Sequence, residues 1–208
     1  MKKEYFFDDT IKVMINEFYC IFGGDIMKNR YMKNYFAIIY EQREEFANEI
    51  KKFKNKEWER PQENKWSFGE TYYHLYLMVR LFRQLNKLYL PISKPLATLR
   101  RGKSYKFHSE DIFTEYKEKH NRPMNAPFVL VPPKDSKEKI SFEWLVNELD
   151  SETRQLEKML SNFSDSVAGH IRYPDPIAHY PNLIQCLAIL GIHEKHHFLL
   201  CKKYYNLH

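Results

Sequence analysis

Residues 182–205 read NLIQCLAILGIHEKHHFLLCKKYY. Cys186, Leu190, His193, His197, Cys201 and Tyr204 recur at intervals of three or four, so they line one face of a helix. Two of the six are histidines four apart. Stacked one turn above the other, His193 and His197 can close on a single metal ion. A third ligand elsewhere in the chain would make this face a metal site, so the remaining sequence is read for the helices that surround it and for that ligand.

Working back from this helix, a loop with Pro174, Pro176 and Pro181 precedes it. Before the loop, Ser141 serves as N-cap of a third helix that ends near Phe163. Its core face is Phe142, Leu145, Leu149, Leu156, Met159 and Leu160. Further upstream, Ser67-Phe68-Gly69-Glu70 fits a capping box, a hydroxyl N-cap with a glutamate three residues on, and opens a second helix. This helix is expected to reach about Leu90 and stop before Pro91. Its stripe is Glu70, His74, Leu77, Leu81, Leu85 and Leu88, which sets His74 inside the apolar face. A first helix spans residues 32–54 through Tyr35, Ile38, Ile39, Gln42, Phe46 and Ile50, and a charged linker, residues 54–65, follows it.

Between the second and third helices lie residues 91–140, with Pro91, Pro95, Pro123, Pro127, Pro132 and Pro133 and a short helix expected near residues 109–120. This is far longer than an ordinary helix–helix loop and lets the chain cross from one end of a bundle to the other. Helices two and three then run parallel, and two and four antiparallel. The expected fold is all-α, a four-helix bundle with a long crossover between helices two and three.

His74 is the third-ligand candidate. It lies roughly 10 Å into helix two at 1.5 Å per residue, and His197 is at a similar depth from the end of helix four. Antiparallel helices therefore bring His74, His193 and His197 to one level. Three imidazoles leave positions open on a divalent ion, as catalytic sites do. Zinc is the default, and nickel, iron or manganese also suit imidazole. Glu70, one turn before His74, is either the capping-box residue alone or also a catalytic residue behind the ligands, one that orients His74 or serves as a base. Cys201 is a soft ligand or a packing residue. Glu194 and His196 flank the ligands and either touch the cavity or face solvent, while Trp66 packs the helix end. The segment 193–197 also fits HExxH, in which the glutamate is the base of a zinc protease. Against that reading, only 11 residues follow His197, and none is Asp or Glu.

Composition bounds the rest. The chain has 208 residues, 43% hydrophobic and 29% charged, consistent with one domain and a substantial core. No apolar run approaches the roughly 18–20 residues of a membrane span, and Met1-Lys2-Lys3-Glu4-Tyr5 lacks a signal-peptide core. A cytoplasmic protein with no membrane partner is expected. Cys20, Cys186 and Cys201 read as reduced thiols. Net charge is +6, and Lys94, Arg100, Arg101, Lys103 and Lys106 form the densest basic cluster. Acidic residues are mixed through the rest and no nucleic-acid motif accompanies the cluster, so a solvated loop and no nucleic-acid partner are expected. Residues 1–30 are read as an extension and 31–208 as the bundle domain. Phe6, Ile11, Met14, Ile15 and Phe18 suit a short amphipathic helix, which Gly23-Gly24-Asp25 breaks. Codons for Gly-Gly-Asp can resemble a ribosome-binding site, which makes Met27 an alternative start.

Trp66-Ser67, with Glu70 and His74-Leu75, resembles the WS..E...HL signature of the DinB/YfiT-like superfamily, and His193-Glu194-Lys195-His196-His197 resembles its HxxHH element on the last helix. The resemblance covers about residues 32–208. It implies an up-down-down-up four-helix bundle with His74, His193 and His197 as metal ligands. It also implies a metal-dependent hydrolase, or an S-transferase that joins a low-molecular-weight thiol such as bacillithiol to a small electrophile, commonly as a homodimer. The N-terminal extension and the long Pro-rich connection depart from the family pattern and leave the substrate open. The alternative is a bundle that binds a metal or a small molecule without chemistry.

Overall fold

The computed structural model describes residues 27–109, 112–121 and 126–207, and the expectations for residues 1–26 lie outside them. In chain order the helices are α1 (Arg30–Ile50), α2 (Phe68–Thr98), α3 (Ile112–His120), α4 (Ser136–Lys139), α5 (Phe142–Leu160), α6 (Asp165–Ala168) and α7 (Leu183–Tyr205). Each long helix begins where a side chain satisfies a free N–H of the first turn. Asn29 accepts from Met32 N before α1, and Ser141 accepts from Trp144 N before α5. Ser67 and Glu70 form the expected reciprocal box at α2, and Asn182 and Gln185 form a second one at α7. The four long helices correspond to helices one to four of the sequence reading. The fold is all-α, with no named strand among the described residues. No described helix is long and apolar enough to cross a membrane.

Contacts along the helices give their directions. Ile39 approaches Gly191, Arg43 binds Glu194, Phe46 stacks on Phe198 and Glu49 pairs with Lys202, so α1 and α7 advance together. Tyr72 meets Phe142, Tyr76 meets Trp144 and Arg83 binds Glu152, so α2 and α5 advance together. Thr71 lies against Cys201 near the end of α7, so α2 opposes α7. Tyr40 reaches Glu157 while Arg43 reaches Asp150, so α1 opposes α5. The core between the four helices includes Phe36, Ile39, Phe46, Phe68, Tyr72, Leu75, Leu145, Leu149, Leu156, Leu160 and Leu187.

Two expectations need correction. α2 does not stop before Pro91 but continues to Thr98 with Pro91 and Pro95 inside it. Each proline removes one N–H to the carbonyl four residues back. Both prolines are exposed, so water reaches the freed carbonyls of Lys87 and Pro91. The opposite face holds the helix in place through Leu90, Ser93 and Ala97, all buried, and Ser93 Oγ donates to Tyr89 O at 2.9 Å. The second correction concerns the face. Leu81, Leu85 and Leu88 are not core. The buried face is Tyr72, Leu75, Tyr76, Val79, Arg83, Asn86 and Leu90, and it turns away from the leucine line. Arg83 occupies a core position because Glu152 meets its guanidinium with two oxygens.

Candidate metal centre

His74 sits two turns into α2 and is 1% exposed. His193 is buried and His197 half-buried on α7. Because α2 opposes α7, the three rings meet. His193 Nε2 is 3.1 Å from His74 Nε2 and 3.2 Å from His197 Nε2. One ligand atom from each residue lies within 4.8 Å of the others.

The tautomer of His74 follows from its other nitrogen. His74 Nδ1 is 2.8 Å from the carbonyl of Leu130, which can only accept. Nδ1 therefore carries the proton, and Nε2 of the neutral ring presents a lone pair to the cluster. This is the arrangement by which a backbone carbonyl orients a metal-ligating histidine. Leu130 belongs to a 3-10 turn, Phe128–Leu130, in the long crossover. The connection that shapes the bundle thus also orients one of the three rings.

Burial lowers the proton affinity of all three. It lowers the pKa of His74, while the Leu130 carbonyl works in the opposite sense. It brings His193 to about 3, assisted by the neighbouring His74 and His196 rings. His197 is lowered further by burial and then by His193, His74 and His196. At neutral pH the cluster is therefore uncharged. One proton on His193 Nε2 cannot give a full hydrogen bond to both neighbours. His74 Nε2 is thus a lone pair close to two further ring nitrogens, a set of donors that a cation would engage. At metal–nitrogen distances of roughly 2.0–2.1 Å, tetrahedral ligands are about 3.3 Å apart, close to the two contacts seen here. The donor set fits a borderline divalent ion.

The neighbouring residues separate into those that meet the rings and those that do not. Trp66 does more than pack the helix end. Its ring is 5.9 Å from that of His197, nearly parallel at 15°, and 5.0 Å from that of His74. Its place just before the cap, within two turns of His74, is the signal that could have found it. Cys201 donates to or accepts from Thr71 Oγ1 at 3.4 Å, and burial raises its thiol to about 11. The carboxylate of Glu70 accepts from Ser67 N at 2.9 Å and from Arg60 Nε at 2.9 Å. Burial alone would raise its pKa, but Arg60 and the Ser67 N–H lower it more.

Glu194 neither touches the cavity nor faces solvent. It is 2% exposed and turned toward α1, where Arg43 holds both its oxygens, Nε on Oε1 at 2.9 Å and Nη2 on Oε2 at 2.7 Å. Gln42 adds a third donor at 3.2 Å, and Arg43 Nη1 goes on to Asp150 and Thr153, each at 2.9 Å. A carboxylate enclosed this way is not a general base beside the histidines, which removes the protease reading of HExxH. Arg43 had a legible signal: it lies four residues after Ile39 and three before Phe46, a core position occupied by a charge.

Fold and site together define a four-helix bundle with three inward imidazoles drawn from two antiparallel helices. The DinB superfamily model matches residues 38–201, most of the chain, and the chain belongs to that superfamily. No curated protein and no solved structure matches it.

Proposed function

We propose that His74, His193 and His197 hold one divalent metal ion and that the protein is a DinB-like enzyme acting on a small molecule. The observation that carries this reading is the convergence of three neutral ring nitrogens with the His74 tautomer set by Leu130 O. Zinc is the first candidate, with nickel, iron or manganese also suited to imidazole. Such an ion supplies Lewis acidity that makes a water or a thiol nucleophilic at neutral pH. The first outcome is a metal-dependent hydrolase and the second a low-molecular-weight-thiol S-transferase, with the thiol as cosubstrate. Around the ion, Leu130 O keeps His74 in the binding tautomer and Trp66 covers the His74 and His197 rings on one side. Burial keeps all three imidazoles unprotonated. We assign Glu70 to capping α2 and anchoring Arg60, because its oxygens are engaged there. The protein is read as cytoplasmic and homodimeric, with neither nucleic acid nor membrane as partner.

A second reading rests on the same distances. Contacts of 3.1 and 3.2 Å are also hydrogen-bond lengths, so a metal-free bundle could share protons among the three rings and bind a small molecule without chemistry. Elemental analysis of untagged protein separates the two. We expect about one metal per chain, with loss of the ion in His74→Ala at unchanged helix content. Unchanged metal content in that variant rules out the ligand assignment, and metal-free wild-type protein favours the second reading. Thiol-conjugation and esterase assays of the loaded protein then divide transferase from hydrolase.

A further inference from the structure

The face of α2 that carries His74 stays apolar beyond the site and opens to solvent. Leu77, Leu81, Leu85 and Leu88 follow His74 at steps of three or four, all within about 60° of it at 3.6 residues per turn. Exposure climbs with distance from the imidazoles. His74 is 1% exposed, Leu77 is half-buried, and Leu81, Leu85 and Leu88 are 38, 49 and 77% exposed. The face of α7 that carries His193 continues in the same way. Ile189 and Cys186 stand one and two turns before it, and both are half-buried. Because α2 opposes α7, the two lines leave the imidazoles in the same direction. Buried Tyr173, from the loop before α7, spaces the helices there. Its ring is 5.6 Å from that of Phe82, its hydroxyl donates to Asn86, and its N–H donates to Pro181 O at 2.9 Å. The two lines therefore wall an apolar groove that deepens toward the three rings.

We propose that this groove holds the unbranched alkyl chain of a substrate whose reactive group meets the ion. The substrate class is then an acyl ester or amide for a hydrolase, or an alkyl electrophile for a transferase. The inference rests on the metal reading for the position of the reactive group and on the two lines for the chain. Neither line carries a charged residue, so the groove contributes by apolar burial alone. From His74 to Leu85 it runs roughly 16 Å at 1.5 Å per residue, the reach of a chain and not of a single ring. It also leads onto a buried imidazole. A slender chain can follow it there, whereas a protein surface laid on the outer leucines cannot.

Calorimetric titration of the full chain with straight-chain hydroxamic acids of rising length tests it, since a hydroxamate ligates metal ions and carries the chain. Each added methylene should tighten binding about two- to four-fold, the upper figure being that of a fully buried CH2, until the chain passes Leu85. Protein stripped of metal should bind every member more weakly and keep the same increment. An increment that the metal does not affect at all counts against the ion and leaves the groove standing. Leu81→Glu with Leu85→Glu should flatten the series at unchanged helix content, since both side chains are exposed. Leu85→Trp should move the plateau to shorter chains. Leu96→Glu, on the same side of α2 but roughly 33 Å from His74, should leave the series as in the wild-type chain. A wild-type series without an increment overturns the proposal. So does an increment that the paired glutamates leave intact, or one that Leu96→Glu removes as well.

Discussion

At the residue scale, the site and its support divide between two neighbours in sequence that point in opposite directions. His193 faces α2 and the other imidazoles, while Glu194 faces α1 and Arg43. One step along a helix turns the side chain by about 100°, so the short motif mixes a site residue with a structural one. Arg43→Ala would leave the Glu194 carboxylate buried without its main partner, and unfolding in urea should show a loss of about 3–5 kcal/mol. Glu194→Gln should lower stability less, because an amide can still accept from Arg43, and metal content should not change. A Glu194→Gln variant of full stability that had lost all activity would restore the base role rejected above. The histidines set a pH dependence. An unfolded His titrates near 6.5, and His193 does so at about 3 when folded. In that window the unfolded chain binds more protons. The stabilisation is therefore complete above about pH 6.5 and is lost as pH falls toward 3. Thermal melts of chelator-treated protein between pH 8 and 4 should show a falling midpoint below about 6.5, and a flat profile would contradict the burial of the rings.

At the scale of elements, α2 shows how packing overrides a local stop signal. Pro91 and Pro95 end a helix on propensity alone, yet the buried series Leu90, Ser93 and Ala97 carries α2 through both. Pro91→Ala restores one N–H to the Lys87 carbonyl, and we expect a gain of about 1–3 kcal/mol in urea unfolding. A loss would mean that the proline shapes α2 in a way that the missing hydrogen bond does not explain. The linker before α2 has its own constraint. A Cβ on Gly69 would stand 2.4 Å from the Trp58 ring, so the linker closes over the start of α2 only because residue 69 is glycine. Gly69 N donates to Glu57 O at 2.8 Å across that contact.

At the scale of the molecule, the crossover joins architecture to site. It returns the chain to the bundle end where α5 starts beside α2, and on the way it delivers the Leu130 carbonyl to His74. Because the three rings come from α2 and α7, an ion bound there ties together helices far apart in sequence and binds the folded state alone. Adding the cognate metal to stripped protein at about 100 times its dissociation constant should stabilise it by about 2.7 kcal/mol, or roughly 5–10 °C in the melting midpoint. His74→Ala should lose that shift. An equal shift in the variant would place the ion elsewhere.

Much of this was readable in one dimension. Helix periodicity, the caps at Ser67 and Ser141 and the long crossover are local properties, and local hydrogen bonding and side-chain spacing enforce them whatever the rest of the chain does. The metal candidates His74, His193 and His197 were visible for the same reason, as histidines on apolar stripes at matching depths. Other features depended on the assembled bundle. Which of two apolar lines on α2 is buried is decided by the neighbours it meets, since Leu and Tyr stripes satisfy the same period. The role of Leu130 comes from a backbone carbonyl that every residue possesses, so no side chain announces it. The direction of Glu194 depends on α1 lying beside α7 with Arg43 at the right height. Contacts between residues distant in the chain are set by packing and electrostatics in three dimensions, and periodicity along one helix carries no record of them.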